Sequence, residues 1–128
     1  AERWKKLIYI CSSGWLAVTR STNGQIMEHP DTKDILLNLF VEVATVARKL
    51  GVNIPSDYEE KTLALAETFP YDSTSSLTRD IWAERPSELE YQNGTVVRLA
   101  KKVGVDVPIN RMIYYSLLLM EKRAREQA

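Results

Sequence analysis

The sequence predicts an all-α domain of about six helices, and three observations carry that expectation. Apolar residues recur at intervals of three and four through most of the chain, the period of an amphipathic helix. Sustained apolar/polar alternation, the mark of a half-buried strand, appears in no segment. Helix start and stop residues, among them Ser56 with Glu59, Ser87 with Glu90, Gly51 and Gly104, punctuate the periodic stretches where helix termini are expected.

From Trp4 the residues Leu7, Ile8, Cys11, Trp15 and Val18 fall on one helical face, and Tyr9, Ile10, Leu16 and Ala17 make most of the remainder apolar. This predicts a buried first helix of about five turns, interrupted by turn chemistry at Ser21-Thr22-Asn23-Gly24. Asp31 or Thr32 is placed to cap a second helix, whose stripe Ile35, Leu36, Leu39, Phe40, Val43, Val46, Ala47 and Leu50 opposes Asp34, Asn38, Glu42 and Arg48. Gly51 ends it, because a left-handed residue is favoured just past a helix C-terminus.

Ser56 and Glu59 fit a capping box opening a third helix toward Thr68. Pro70 interrupts, and a short helix around Leu77, Ile81 and Trp82 stops before Pro86, with Ser76 as its simplest cap. Ser87 and Glu90 form a second capping box, opening a helix through Leu89, Val96, Val97, Leu99 and Val103. Gly94 inside that helix costs about 1 kcal/mol relative to alanine, which points to close packing. The last helix starts near Asn110 and frays into the charged tail Glu121 to Glu126. The segments 47–55 and 100–108 echo each other, each with a basic last turn, a glycine stop, an apolar connector and a proline. Helix-termination physics explains the echo without a repeat.

Length and composition bound the function. The 128 residues are 45% hydrophobic, enough for one core, so residues 1–128 read as a single domain. Lysine and arginine number 17, as do aspartate and glutamate, so no global field draws the chain to nucleic acid or an anionic membrane. The longest apolar run, Met112 to Met120 with Ser116 inside it, falls short of the roughly 20 residues that span a bilayer. Cys11, the single cysteine, has no intrachain disulfide partner and reads as a packing residue in a reducing, cytoplasmic setting. With one histidine and one cysteine, neither a metal constellation nor a Ser-His-Asp hydrolase is expected. His29 reads as a surface loop residue. A Gly-x-Gly-x-x-Gly turn is also missing, so another domain must cradle any dinucleotide. The chain begins at Ala1 and enters patterned sequence almost at once, as if an upstream domain were removed.

The polar residues in unusual places are Lys6, which shares a helical stripe with Ile10, Ser13, Gly14 and Ala17, and Ser76 and Glu88 near predicted helix starts. Lys6 also reads as a solvated lysine whose stem covers apolar surface. Ser76 and Glu88 also read as ordinary helix-start residues.

Four segments resemble one known family. Trp4-Lys5-Lys6-Leu7 is similar to the Trp-x-Lys-Leu that opens the C-terminal domain of ketopantoate reductases (2-dehydropantoate 2-reductases). Ser75-Ser76-Leu77-Thr78-Arg79-Asp80-Ile81, Glu88-Leu89-Glu90-Tyr91-Gln92-Asn93-Gly94 and Gly104-Val105-Asp106-Val107-Pro108-Ile109-Asn110 resemble that family's later segments, in its order and spacing. The resemblance implies a compact, 6-phosphogluconate-dehydrogenase-like helical domain that follows an N-terminal Rossmann domain, with substrate between the two. NADPH, bound mainly by that other domain, would reduce a small 2-oxo acid to the 2-hydroxy acid in pantothenate biosynthesis. Lys6 would be the general acid, Ser76 would bind the substrate carboxylate, and Glu88 would orient the hydroxyl end or the lysine. Where the family has asparagines one and two turns after the lysine, this chain has Ile10 and Gly14 at the substrate wall. Polar contacts are lost there, so the reaction class transfers more safely than the substrate. The implied partners are the 2-oxo acid, the Rossmann domain and, optionally, a second copy of the chain. The rival reading is a non-catalytic helical dimerisation or partner-binding module, for which Tyr114-Tyr115 could face a partner.

Overall fold

The stripe of the second predicted helix becomes the axis of the molecule. In the computed structural model, which describes residues 1–127, α4 (Pro30–Lys49) buries Leu36, Leu39, Phe40, Val43, Ala44, Val46 and Ala47. Around it pack α1 (Glu2–Ile10), α2 (Ser12–Thr19), α3 (Asn23–Glu28), α5 (Tyr58–Ala66), α7 (Asn93–Val103) and α8 (Pro108–Gln127). The short α6 (Ser76–Trp82) lies against α2 and α8, and a 3-10 turn, Leu89–Tyr91, precedes α7. No strand occurs among the described residues. The all-α expectation therefore holds, with eight α-helices among those residues rather than about six. Each large side chain buried here, Phe40 or Leu39 for example at 0% exposure, stabilises the fold by about 1.5–3 kcal/mol relative to its exposed state.

The extra helices have local causes. The predicted first helix is divided at Cys11, which keeps helical dihedrals (φ −63°, ψ −17°) and donates its N–H to Leu7 O at 3.1 Å. Its carbonyl is drawn out of the regular ladder: Gly14 N–H reaches it at 3.3 Å in a tight i→i+3 bond, and Asn93 Nδ2 donates to it at 3.4 Å. A side chain inserted into the ladder is a recognised cause of helix interruption. The segment expected to be only a turn holds α3, opened by a capping box. Gln25 N–H donates to Thr22 Oγ1 at 3.4 Å, and Thr22 N–H donates to Gln25 Oε1 at 2.9 Å.

Other caps differ from expectation. His29, exposed as anticipated, is the N-cap of α4 in place of Asp31 or Thr32, its Nδ1 accepting from Asp31 N–H at 3.1 Å with Pro30 in the first turn. Thr32 instead donates to Ile26 O at 2.7 Å. The Ser56/Glu59 box does not form, because Glu59 turns inward to Arg48, whose Nη1 and Nη2 donate to its carboxylate at 2.8 and 2.9 Å. Ser75 rather than Ser76 caps α6, accepting from Thr78 N–H at 3.2 Å. The Ser87/Glu90 box is likewise absent. Ser87 Oγ accepts from Leu89 N–H at 3.2 Å, while Glu90 binds Arg98 and Tyr114, at 2.8 and 2.6 Å. The C-terminal tail does not fray at Glu121, which is 2% exposed within α8.

The echoed segments are two copies of one helix ending. Gly51 (φ 86°) and Gly104 (φ 74°) are left-handed, and the following N–H groups, of Val52 and Val105, donate back to Ala47 O and Ala100 O at 3.0 and 2.9 Å, the bond of a Schellman motif.

Candidate functional site

The division of the first helix is the meeting point for the segments of interest. Cys11 O accepts from Asn93, the first residue of α7, and Ser13 O accepts from Thr78 Oγ1 of α6 at 3.1 Å. Asn93 Nδ2 also donates to Asn110 Oδ1 at 3.0 Å. Asn110 Nδ2 in turn donates to Glu42 Oε1 at 2.9 Å, and the Glu42 carboxylate accepts the Ile109 and Asn110 N–H groups at 3.0 and 2.9 Å. One polar chain thus ties α2, α7, α8 and α4 together, and Glu42 satisfies the otherwise unpaired first N–H groups of α8. Asn93 and Asn110 are wholly buried.

Gly14 is buried at the centre of this junction. An added Cβ would overlap Asn93 Oδ1 and stand 2.6 Å from Ile113 Cγ2. The residue therefore serves as a close-approach point of α2 with α7 and α8. Ile10, half-buried, closes α1 beside it. One turn earlier, Lys6 is exposed, with no ion pair among the described residues. Its neighbour Lys5 is engaged, 3.5 Å from Glu2 and 5.6 Å from the centre of the Tyr58 ring.

Ser76, released from the capping duty that Ser75 performs, is exposed in the first turn of α6. Glu88 is also exposed, and its backbone is fixed, its carbonyl accepting from Tyr91 and Gln92 N–H at 3.0 and 3.1 Å. The bonds Thr78–Ser13 and Asn93–Cys11 thus draw the segments bearing Ser76 and Glu88 to the α1–α2 junction that follows Lys6. No hydrogen bond or ion pair joins the side chains of Lys6, Ser76 and Glu88 among the described residues. Two open cavities lie elsewhere. One of about 330 Å³ sits under Tyr71, between Met27, Glu67 and Phe69. The other, of about 300 Å³, is apolar and lies between Trp15, Ile35 and Met112. The described residues offer no strand–glycine turn–helix for a dinucleotide pyrophosphate.

The family model of the ketopantoate reductase PanE/ApbA C-terminal domain matches residues 1–121. The chain belongs to this family. A 2-dehydropantoate 2-reductase of Pyrobaculum aerophilum is 32% identical over 113 residues, which cover 88% of this chain and 40% of that protein. A ketopantoate reductase of the PanE/ApbA family from Ralstonia eutropha JMP134 superposes with a TM-score of 0.84 at 29% identity, over 95% of this chain and 41% of that one. The dimeric ketopantoate reductase of Staphylococcus aureus shares the fold, with a TM-score of 0.88 at 24% identity over 94% of this chain and 43% of its own. The chain thus spans about two-fifths of the length of the relatives it matches.

The sequence missed the ketopantoate reductase domain's internal scaffold, namely Asn93, Asn110, Glu42 and Glu121. Glu42 lay on the polar side of a correctly read stripe, but nothing local signals a partner 68 residues away. The signal within reach was Thr22-x-x-Gln25, a capping box by the same rule that was applied to Ser56 and Ser87.

Proposed function

We propose that this chain is the substrate-side domain of an NADPH-dependent 2-oxo acid reductase of the ketopantoate reductase kind, inactive without a dinucleotide-binding domain. The observation that supports the reading best is Lys6. It is an exposed cation with no carboxylate partner, on the helix whose end gathers the segments of Ser76 and Glu88.

In this reading a nicotinamide cofactor held by another domain supplies hydride to the ketone carbon. The Lys6 ammonium donates a proton to the oxygen on which negative charge develops, an interaction that strengthens toward the transition state. The Ser76 hydroxyl donates to the substrate carboxylate. Glu88 accepts from the far end of the substrate or from Lys6 and fixes their orientation. Ile10 presents no hydrogen-bonding side chain one turn after the lysine, so the preferred substrate carries an apolar group there, and 2-dehydropantoate is one candidate among small 2-oxo acids; Gly14, expected at the substrate wall, is instead buried in α2 against Asn93 and Ile113.

The test is Lys6→Ala in the complete natural protein. We expect kcat/KM for the 2-oxo acid to fall by about 10²–10⁴, the range of general acid catalysis, with an unchanged unfolding midpoint because Lys6 is solvated and unpaired. Retained turnover would remove Lys6 from the mechanism.

One observation favours a second reading. Met112, Tyr115 and Leu119 line an outer face of α8 with exposures of 69, 55 and 62%, an apolar stripe suited to self-association. A chain monomeric at all concentrations, and unaffected in mass by Leu119→Glu, would remove that alternative.

A further inference from the structure

Glu121 is a buried carboxylate that neither the core nor the α8 surface requires. It is 2% exposed, and it is bound both by Arg125 of its own charged tail and by a residue 34 positions earlier. Its Oε1 accepts from Ser87 N–H at 3.0 Å and from Ser87 Oγ–H at 2.7 Å, and its Oε2 lies 3.1 Å from the same N–H. Arg125, one turn further along α8, donates from Nε to Glu121 Oε2 and from Nη2 to Ser87 O, both at 2.8 Å. Ser87 Oγ also accepts from Leu89 N–H at 3.2 Å. Every polar atom of Ser87 is therefore bound.

Burying a carboxylate is costly unless it is paired and fully hydrogen-bonded. A Ser87 acting only as a turn cap needs no such partner, since Ser75 caps α6 without one. The clamp holds the residue immediately before Glu88. On the other side, the Glu88 carbonyl is bound by Tyr91 and Gln92, and Leu89 is fully buried. Glu88 thus stands on backbone fixed at both ends, and its carboxylate is exposed.

We propose that Glu121 is a positioning residue. With Ser87 and Arg125 it holds the 87–92 turn so that the Glu88 carboxylate meets the substrate in one orientation. The inference rests on the reading above that Glu88 contacts substrate. Loss of the clamp lets Glu88 sample several positions, which weakens substrate engagement more than it slows bound substrate.

The experiment uses the complete natural protein, with Glu121→Gln and Ser87→Ala placed in both the wild-type and the Glu88→Ala backgrounds. In wild type, Glu121→Gln raises KM for the 2-oxo acid about tenfold, the order expected when one hydrogen bond to a charged group is weakened, and leaves KM for NADPH unchanged. In the Glu88→Ala background it changes neither constant further. Equal losses in the two backgrounds, or an unmoved KM in a folded variant, would overturn the proposal, because a purely structural carboxylate acts without regard to Glu88. Ser87→Ala removes the Oγ–H donor to Glu121 and the acceptor of Leu89 N–H but keeps Glu121 bound to the residue-87 N–H and to Arg125, so, read through KM and the Gln92 amide, it gives the same pattern at smaller amplitude if Glu121→Gln does not fold. Amide exchange supplies a readout independent of turnover. The Leu89 and Gln92 amides exchange faster in Glu121→Gln while those of α4 do not, and unchanged protection at Leu89 and Gln92 refutes the clamp. A neutral Glu88→Ala overturns the assigned role of Glu88, and the exchange rates then still decide whether Glu121 holds the turn.

Discussion

Replacing Gly14 with alanine separates close approach from ordinary helix propensity. In a helix, alanine is favoured over glycine by about 1 kcal/mol. At Gly14 the new methyl overlaps Asn93 Oδ1 and lies 2.6 Å from Ile113 Cγ2. Neither neighbour is a free end, for Ile113 is 2% exposed and Asn93 is wholly buried, held by its bonds to Cys11 O and Asn110 Oδ1 at 3.4 and 3.0 Å. Overpacking of this kind costs about 1–3 kcal/mol, and each Asn93 bond broken in relaxing it adds about 1 kcal/mol. The net expectation is a destabilisation of about 1–4 kcal/mol, which lowers the melting temperature by several degrees in a chain of this size. Gly94→Ala is the internal control. Its methyl would stand 3.1 Å from Arg98 Nη1, 3.1 Å from Tyr114 Cε1 and 3.2 Å from Glu90 Oε2, a hydrogen-bonded but only partly buried group that needs to shift by a few tenths of an ångström, so its stability stays within about 1 kcal/mol of wild type. Urea denaturation followed by helical circular dichroism measures both. A Gly14→Ala chain as stable as wild type, or a Gly94→Ala chain equally damaged, would refute the packing assigned to the α1–α2 junction.

Other expectations follow from buried polar groups. Burial pushes the Glu59 carboxyl up, but the bonds from Arg48 more than offset it and hold the group below its ordinary value. Its folded-state pKa is therefore below the unfolded one, so its contribution is present above about pH 4.3 and is lost as pH falls through the folded value. Denaturation across that window should show wild type losing stability faster than Glu59→Gln. Burial raises the Cys11 thiol well above its ordinary value, so a thiol reagent should label native protein negligibly and unfolded protein stoichiometrically. Burial and then the hydrogen bond to Glu90 push the Tyr114 phenol up to about 12. In an absorbance titration Tyr114 should ionise near that pH, above the ordinary tyrosine value of about 10, and Tyr114→Phe should remove that late step.

The fold was largely legible because its helices carry local signals. The α4 stripe buried as read from Leu36 to Ala47, with Ile35 half-buried and Leu50 exposed at its ends, and Gly51 and Gly104 ended helices as their positions implied, since both features depend on residues within one or two turns. The failed capping boxes and the divided first helix have one physical origin, whereas α3 and the caps His29 and Ser75 turn on bonds within three residues. Ser56/Glu59 and Ser87/Glu90 satisfy the capping rule locally, but Glu59, Glu90 and Ser87 found stronger, charge-assisted or buried partners in Arg48, Arg98 and Glu121. The division at Cys11 has the same cause, because the residue that draws out its carbonyl is Asn93. A reading confined to neighbours ranks only the local bond, and tertiary alternatives win where they are drier or charged. The candidate site residues came from motif resemblance rather than from position, since Lys6, Ser76 and Glu88 all sit where a solvated side chain is ordinary.

That exposure has a consequence for how the domain divides its labour. The polar groups that do structural work are buried and bound to one another: the Asn93 amide nitrogen with Cys11 and Asn110, Glu42 with the start of α8, and Glu121 with Ser87 and Arg125, while Asn93 Oδ1 stays unpaired against Gly14. Glu88 is one residue from Ser87, Ser76 two from Thr78 and Lys6 five from Cys11, yet none takes part in these bonds through its side chain among the described residues. Capping is performed by Ser75 instead of Ser76, ion pairing by Lys5 instead of Lys6, and turn anchoring by Ser87 instead of Glu88. Ser76 and Glu88 thus each have an immediate sequence neighbour, Ser75 and Ser87, that carries the fold while their own side chains stay free toward solvent; the exposed Lys5–Glu2 pair contributes little. Substituting the neighbour should cost stability, and substituting the candidate should cost only whatever the free group does. This separation makes the three exposed residues informative to mutate.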